Sequence, residues 1–337
     1  MRVYRLPKAE GIDDLTLAED ETPRPQRGQA LVRLHAASLN YRDLLIVTGR
    51  YSRGAVRPGL VPLSDGAGEV VEVGPDVTRV RKGDRVAGPF HQAWAGGEIS
   101  DAVAGSALGG DLDGVLTEYR VFEEGGLVRL PEYLSYEEGA TLPCAAVTAW
   151  NALFAHRPVR PGDVVLTQGT GGVSVFAVQF ARAAGARVIS TSSSDEKLER
   201  VRALGASDLI NYRRSPEWDR EALRLTGGRG VDHVVEVGGA GTLPRSLRAV
   251  RRGGYVNVIG LLAGGGEIDP MVVLGRSIVM RGIFVGSREM FEAMNRAITA
   301  QGLRPVIDRV YPFEQAAEAY RHLQSGAHFG KVVIRLG

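Results

Sequence analysis

The chain has 337 residues, 44% of them hydrophobic and 24% charged, with a formal net charge of +2. A chain of this length usually forms two domains, and so small a charge excess gives no electrostatic basis for binding nucleic acid. The single cysteine, Cys144, excludes an internal disulfide and a four-cysteine zinc site. Because no 18-residue apolar run and no signal-peptide core are present, we expect no membrane span and a cytoplasmic location.

The first 125 residues predict β structure. The stretch ALVRLHAAS, from Ala30, alternates between the two faces of a strand, and RKGDRVAG, from Arg81, contains a Gly-Asp turn of hairpin type. Residues 91–115 have no clear period and predict a long loop.

After about residue 160, apolar runs of strand length alternate with helical patterns. This alternation predicts a parallel sheet covered by helices. A capping-box pattern, Ser193-x-x-Glu196, predicts the start of the helix after the second strand. The predicted strands are 164–167, 187–190, 231–237, 255–260, 277–286 and a final KVVIRL, with late helices near 288–300 and 313–324.

A glycine-rich turn, GTGGVS at 169–174, follows the first of these strands. Such a turn brings the backbone close to a pyrophosphate, and the following helix N-terminus supplies free N–H groups. Ser174 stands where the third glycine of the common pattern would fall. The residues predicted to contact a dinucleotide here are Gly169, Gly171, Gly172 and Val173.

The second strand of the unit ends in Thr-Ser-Ser-Ser (191–194), where NAD sites usually carry an acid. Hydroxyl groups can donate to a 2′-phosphate, and Lys197 can add a cation. We therefore predict NADPH as the cofactor, with Ser192, Lys197 and Tyr212 at its phosphorylated ribose. The alternative is that Ser193 only caps the helix and Lys197 is a surface charge, which leaves NAD(H) open.

Several blocks together resemble the medium-chain dehydrogenase/reductase superfamily, and especially its zinc-free quinone oxidoreductase-like branch. They are SLNYRDLLIVTGRY (38–51), PLSDGAGEVVEVGPDVTRVRKGDRV (62–86), LPCAAVTAWNAL (142–153), the glycine turn, LGASDLINYR (204–213) and GKVVI (330–334). The resemblance implies an α/β protein with two domains. A GroES-like β-rich catalytic domain would comprise 1–125 and 287–337, and a Rossmann doubly wound parallel-sheet domain 126–286. It also implies a homodimer, paired through the strand at 282–286.

Zinc-dependent relatives hold a catalytic metal with two cysteines and a histidine. On the matching blocks these positions fall at Asn40, Ser64 and Cys144. A catalytic zinc needs about three protein ligands, and amide and hydroxyl oxygens replace thiolate and imidazole poorly. We therefore predict no catalytic metal. A substitute set using His91 or Asp65 with Cys144 is conceivable, but no spacing favours it.

Without zinc, reducing an electron-poor acceptor is easier than oxidising an unactivated alcohol. We predict an NADPH-dependent oxidoreductase that transfers hydride to a quinone or an α,β-unsaturated carbonyl. The alternatives are an NAD(P)-dependent alcohol dehydrogenase and a non-catalytic nucleotide-binding or structural protein. The predicted catalytic residues are Asn40, Tyr41 and Thr148, and further cofactor contacts are expected at Ile259, Gly260, Leu261, Phe284 and Val285.

The acceptor itself is predicted to be a small apolar or aromatic molecule. Loops at 47–60 and 90–115 are the expected lining of its site. They contribute Tyr51, Phe90, Trp94 and Leu108.

Overall fold

The computed structural model describes residues 1–51, 55–260, 262 and 268–337, and in it the chain forms two compact units. The first comprises Met1–Val147 and Gly286–Gly337, and the second Thr148–Val285. The predicted domain boundary at 125 is wrong, because the segment after it joins the first unit. Val128–Arg129 forms a strand of that unit's sheet, and the helix Tyr136–Ala140 packs on the same sheet.

Strands and helices follow one another in a β-rich first part and a regularly alternating second part. The strands are β1 (Arg2–Arg5), β2 (Thr16–Glu19), β3 (Gln29–Ser38), β4 (Asp65–Val73), β5 (Arg85–Ala87), β6 (Tyr119–Glu123), β7 (Val128–Arg129), β8 (Val164–Gln168), β9 (Arg187–Ser192), β10 (Asp208–Asn211), β11 (Val231–Glu236), β12 (Val250–Val258), β13 (Val279–Gly282), β14 (Ile307–Pro312) and β15 (Lys331–Arg335). The helices are α1 (Tyr41–Val47), α2 (Asp101–Ala104), α3 (Tyr136–Ala140), α4 (Val147–Trp150), α5 (Gly172–Ala183), α6 (Asp195–Ala203), α7 (Trp218–Leu225), α8 (Leu243–Ala249), α9 (Pro270–Gly275), α10 (Arg288–Gln301) and α11 (Ala316–Gln324).

The first unit is built on a sheet of order β14-β15-β3-β4-β5-β7, with β6 also paired to β3, and β1 and β2 form a separate ribbon. The alternation predicted for β3 is confirmed, since Val32 and Leu34 are buried and Arg33 is exposed. β15 pairs antiparallel with β3, so the last strand of the chain completes a sheet begun near its start. The core of this unit therefore combines residues from both ends, such as Leu34 and Ile334.

The segment 91–115 is more ordered than its sequence predicts. It contains α2, capped by Ser100, and isolated bridges join His91 to Ala107 and Leu108 to Leu112. The expectation that its aromatic and apolar side chains line an acceptor site stays a prediction. Of the side chains predicted to do so, Phe90, Trp94 and Leu108 are all buried.

The second unit contains a parallel sheet of order β10-β9-β8-β11-β12-β13. This is the doubly wound order in which successive crossovers change direction between the first and fourth strands, here β8 and β11. Val165 and Leu166, neighbours on β8, are both fully buried, as expected for a sheet covered on both faces. The crevice at the carboxyl ends of β8 and β11 is the ligand position that such a topology provides.

Two local predictions in this unit are corrected. The predicted cap at Ser193 is wrong: α6 begins at Asp195, and its cap is Ser194, whose Oγ accepts the Lys197 amide at 3.3 Å. The strand predicted over 277–286 is limited to β13, and the last hydrogen bond to β12 is from the Ile283 amide to the Val258 carbonyl at 2.8 Å. Among the residues described, no helix is both long and apolar enough to cross a membrane.

Candidate active site

The glycine turn joins β8 to α5 at the switch point of the parallel sheet. Gly169 has φ +69°, a left-handed conformation that favours glycine. Gly171 is the N-cap of α5, and Gly172 is the first residue of the helix. A Cβ built on Gly169 or Gly171 would meet no atom within 4 Å, so there is open space beside both residues. Val173, in the first turn, is half-buried, and the first amides of a helix have no partner within it.

Ser174 explains why the third glycine of the common pattern is dispensable here. Its side chain is 3% exposed, and its Oγ donates to the carbonyl oxygen of Gln168 at 2.6 Å. The hydroxyl thereby ties the first turn of α5 to the last residue of β8, so close packing of helix on strand is reached through a hydrogen bond.

The structure brings together the residues predicted to bind the phosphorylated ribose at the carboxyl ends of β9 and β10. Asn211 lies opposite Ser192 in the parallel register, and the Tyr212 amide donates to the Ser192 carbonyl at 3.0 Å. The Tyr212 side chain is 40% exposed. Ser192 itself is buried, and its Oγ accepts the Ser194 amide at 3.3 Å. Lys197 lies in the first turn of α6.

A carboxylate that the sequence reasoning overlooked lies beside this group. Asp195, the first residue of α6, accepts hydrogen bonds from Asn211 Nδ2 at 2.8 Å and Arg214 Nη2 at 2.6 Å. The arginine compensates the negative charge. The sequence shows this residue only as an acid directly after the Thr-Ser-Ser-Ser run. Its pairing with Arg214 requires the chain to turn back after β10.

The ends of β12 and β13 carry the remaining predicted cofactor contacts. The amides of Ile259 and Gly260 donate to the Glu236 carbonyl at 2.8 and 3.4 Å, and a Cβ on Gly260 would lie 2.4 Å from the Val237 oxygen. Glycine is therefore required at 260 by close backbone approach. Leu261, also predicted as a contact, lies outside the described residues.

Phe284 and Val285 lie after β13, outside the predicted strand. Val285 has φ +55°, an unfavourable conformation for a β-branched residue that costs about 1–3 kcal/mol. Its carbonyl accepts a hydrogen bond from Nδ2 of the buried Asn151 at 2.8 Å. Such strained backbone is concentrated at functional sites.

Asn40 lies in a buried polar cluster of the first unit. It is the N-cap of α1, where its backbone N–H donates to Asp43 Oδ2 at 2.7 Å. Its Oδ1 accepts a hydrogen bond of 2.5 Å from Lys331 Nζ, which also donates to the Leu39 carbonyl at 2.6 Å. Lys331 is 3% exposed. Because an ammonium group can only donate, the amide oxygen of Asn40 must face Lys331, and the NH₂ group points away from it as a donor.

Two buried carboxyl groups share this cluster. Burial raises the pKa of Asp43 to about 6, although the Arg42 guanidinium opposes the shift. Burial also raises the pKa of Asp65, against the opposing charge of Lys331. Asp65 accepts hydrogen bonds from Ser64 Oγ at 2.6 Å and from the Cys144 amide at 3.1 Å.

The donors at the three positions that match zinc ligands do not fit a catalytic metal. The Asn40 oxygen is bound to an ammonium group, and the Ser64 hydroxyl donates to Asp65. Burial raises the pKa of the Cys144 thiol. In the part of the chain that is described, no group of three His, Cys, Asp or Glu side chains could hold a metal ion.

The other two predicted catalytic residues differ in exposure. Tyr41 is the first residue of α1, and its side chain is 48% exposed. Thr148 is buried in α4, which lies between two π-helical segments, Leu142–Ala146 and Asn151–Ala155. Asn40 and Tyr41 belong to the first unit and Thr148 to the second.

Comparisons with known proteins match both units. Residues 26–132 match the alcohol dehydrogenase GroES-like domain, and residues 172–300 match the zinc-binding dehydrogenase family. The chain is 48% identical over 334 residues to a zinc-type alcohol dehydrogenase-like protein of Schizosaccharomyces pombe, covering 97% of this chain and 96% of the relative. It is 32% identical over 345 residues to the quinone oxidoreductase of Rattus norvegicus, covering 100% and 98%.

Solved structures are similar in fold to this protein along the whole chain. A putative alcohol dehydrogenase from Sinorhizobium meliloti is 43% identical, with a TM-score of 0.91 and coverage of 100% and 99%. A protein described as an NAD-dependent alcohol dehydrogenase is 35% identical, with a TM-score of 0.91 and full coverage of both chains. A mycobacterial protein complexed with NADPH is 25% identical, with a TM-score of 0.83 and coverage of 99% and 100%.

These likenesses settle the class of protein. The chain belongs to the medium-chain dehydrogenase/reductase superfamily. It is an oxidoreductase of that type, with a GroES-like domain and a Rossmann domain whose fold binds a nicotinamide cofactor.

Proposed function

We propose that this oxidoreductase transfers hydride from NADPH to a quinone or an α,β-unsaturated carbonyl without a catalytic metal. The observation that carries the proposal is the hydrogen bond from Lys331 to Asn40. This bond gives an ammonium group and an amide donor at the position that the sequence resemblance matches to a metal ligand of zinc-dependent members. Amide and hydroxyl donors can stabilise a developing enolate or hydroquinone oxygen, whereas an unactivated alcohol requires stronger polarisation.

The cofactor supplies the hydride, and the chain's own residues bind and orient the reactants. The NH₂ group of Asn40 would donate to the acceptor oxygen or to the nicotinamide ribose. The hydroxyl of the exposed Tyr41 would supply a second donor to the acceptor. Thr148 would pack against the nicotinamide ring and orient it. Preorganised donors of this kind are worth about 10²–10³ in turnover each.

The preference for NADPH is supported by the ends of β9 and β10. The hydroxyls after β9, the cation of Lys197 and the exposed Tyr212 suit a 2′-phosphate. The carboxylate of Asp195, at the start of α6, is paired with Arg214 and so repels a phosphate less. The relative complexed with NADPH agrees with this preference.

A second candidate function is an NAD(P)-dependent alcohol dehydrogenase. It is favoured by the structural relative described as NAD-dependent. Metal analysis and a side-by-side assay of NADPH and NADH separate the two.

The deciding experiment is a cofactor-oxidation screen against quinones, enones, enoyl thioesters and aldehydes. We expect turnover of quinones or enones with NADPH, several-fold slower turnover with NADH, and no stoichiometric zinc. Bound zinc with faster oxidation of simple alcohols by NAD⁺ would instead establish the alcohol dehydrogenase. Tight NADPH binding with no turnover of any acceptor would establish a nucleotide-binding protein without catalysis.

We also propose that the chain forms a homodimer through β13, the last strand in the described part of the parallel sheet. Exposed apolar side chains lie on or near it: Met280 is 42%, Met271 63% and Leu274 70% exposed. An exposed apolar edge strand favours pairing with a second copy. Sedimentation should show a dimer that Met280→Lys weakens, and a wild-type monomer at micromolar concentration would contradict the proposal.

A further inference from the structure

We propose that Glu236, a residue that the predicted site does not include, is a positioning residue that holds the ends of three strands together as one dinucleotide cradle. This inference rests on the proposed function only in assuming that a nicotinamide dinucleotide binds. Glu236 is the last residue of β11, at the switch point, and its side chain is 0% exposed.

The Glu236 carboxylate is saturated by neutral donors. Oε1 accepts the amides of Gly238 and Gly239, both at 2.9 Å, and the Thr242 hydroxyl at 2.5 Å. Oε2 accepts Gln168 Nε2 at 2.7 Å and the Ser246 hydroxyl. Among the described residues, no cation lies within ion-pair distance of this carboxylate. Hydrogen bonds therefore compensate the cost of burying the charge, and each donor is fixed in place by it.

Gln168 links the same network to the glycine turn. It is the last residue of β8, directly before Gly169, and its side chain is buried. Its Nε2 donates to Glu236, while its Oε1 accepts the amides of Val237 and Gly238 at 3.3 Å each. The side chain thus spans from the end of β8 to the turn that follows β11.

The backbone of Glu236 extends the network to the third strand. Its carbonyl accepts the amides of Ile259 and Gly260 at the end of β12. Side chain and carbonyl together connect the glycine turn, the turn at 237–242 and the end of β12, which are the backbone segments beside the crevice of the switch point.

This arrangement also indicates which of the two glycine-containing turns can bind the pyrophosphate. The amides of Gly238 and Gly239 donate to Glu236, so they are not available to a phosphate. The pyrophosphate is then left to the first turn of α5, whose amides have no intrahelical partner. Glu236 holds the backbone segments of the binding site in place without contacting the phosphate, which its charge would repel.

The same strand provides a matched control. Asp232 is also buried on β11, at 1% exposure, but near the strand's opposite end. It is bound by Arg229 at 2.6 Å and Arg251 at 2.5 Å, and it accepts the Val164 amide at 2.9 Å. Neutralising Asp232 therefore removes a buried carboxylate from the same sheet at the edge away from the crevice.

The test compares Glu236→Gln with Asp232→Asn. Calorimetric titration with NADPH measures the dissociation constant, and thermal unfolding measures stability. We expect Glu236→Gln, which places an NH₂ group against existing donors, to weaken NADPH binding about tenfold or more. We expect Asp232→Asn to lower the melting temperature with less than a twofold change in binding. Glu236→Asp, which keeps the charge, should bind with intermediate affinity.

A milder variant keeps the proposal testable if Glu236→Gln does not fold. Thr242→Val removes one donor and leaves the carboxylate, and we expect a two- to fivefold weaker NADPH affinity. Wild-type affinity in folded Glu236→Gln or in Thr242→Val, or an equal loss in Asp232→Asn, overturns the positioning role. Failure of the wild-type protein to bind either NADPH or NADH overturns the proposed function as well.

Discussion

Replacing Asn40 with aspartate separates the two halves of its amide. The substitution retains the oxygen that accepts the 2.5 Å hydrogen bond from Lys331 and exchanges only the NH₂ donor for a second oxygen. The bond to Lys331 is charge-assisted in the wild type and becomes an ion pair in the variant, so it should be retained. The fold should therefore persist, although Asp43 and Asp65 lie in the same cluster.

The expected loss is in turnover rather than in stability. If the Asn40 NH₂ group stabilises charge on the acceptor oxygen, its removal should lower kcat about 10²–10³-fold, equivalent to about 2.7–4 kcal/mol. Steady-state assays with saturating NADPH and an acceptor of the preferred class measure this, and thermal unfolding measures stability. An Asn40→Asp enzyme with wild-type kcat would refute the donor role.

Asn295→Asp provides the control for placing a carboxylate at a buried amide. Asn295, on α10 of the same unit, is 8% exposed, and its Nδ2 donates to the Arg129 carbonyl at 3.0 Å. We expect it to lose about 1–3 kcal/mol of stability, because an acceptor would face an acceptor, with kcat unchanged. A comparable loss of kcat in both variants would show that the effect at Asn40 is not local.

Three further predictions concern the second unit. Lys197→Glu should raise the Michaelis constant for NADPH far more than that for NADH, because a like charge would face the 2′-phosphate, and equal effects would contradict the phosphate site. Burial, assisted by the Arg157 charge, lowers the pKa of His233 to about 4, so its neutral form stabilises the fold above pH 6.5 and this contribution is lost as the pH falls towards 4. The loss should reach about 3 kcal/mol, and urea unfolding of His233→Gln should lack this pH dependence; identical profiles for the two proteins would disprove the assignment. Ser174→Ala should cost about 1 kcal/mol in the same assay by removing the bond to the Gln168 carbonyl, and an unchanged midpoint would argue against that bond.

Structural features that depend on residues close together in the sequence were predictable from the sequence. The alternation in β3 and the parallel β/α rhythm after residue 160 follow from side-chain periodicity, and both are confirmed. The turn at Gly169 follows from the left-handed conformation that a sharp strand-to-helix turn requires. The absence of an acid in the Thr-Ser-Ser-Ser run was also evident from the sequence. The predicted helix cap was wrong by one residue, because three successive serines offer equivalent hydroxyls.

Features that depend on burial were not predictable from local pattern. The sequence predicts that the segment at 90–115 is a loop lining the acceptor site, but its side chains Phe90, Trp94 and Leu108 are buried. The domain boundary at 125 was placed too early, because β7 pairs with β5, and no pattern in a two-residue strand reveals its partner. The pairing of Asp195 with Arg214 depends equally on the fold.

The sequence by itself determined the class of fold and the position of the glycine-rich turn, and it predicted that Asn40 and Ser64 replace two metal ligands. Only the tertiary structure decided what each polar group does. Lys331 reaches Asn40 across 291 residues, and Gln168 reaches Glu236 across 68. The physical reason is that a buried charge is stabilised by whichever donors or opposite charges the fold places around it, and those neighbours come from strands that are adjacent in the sheet but distant in the chain.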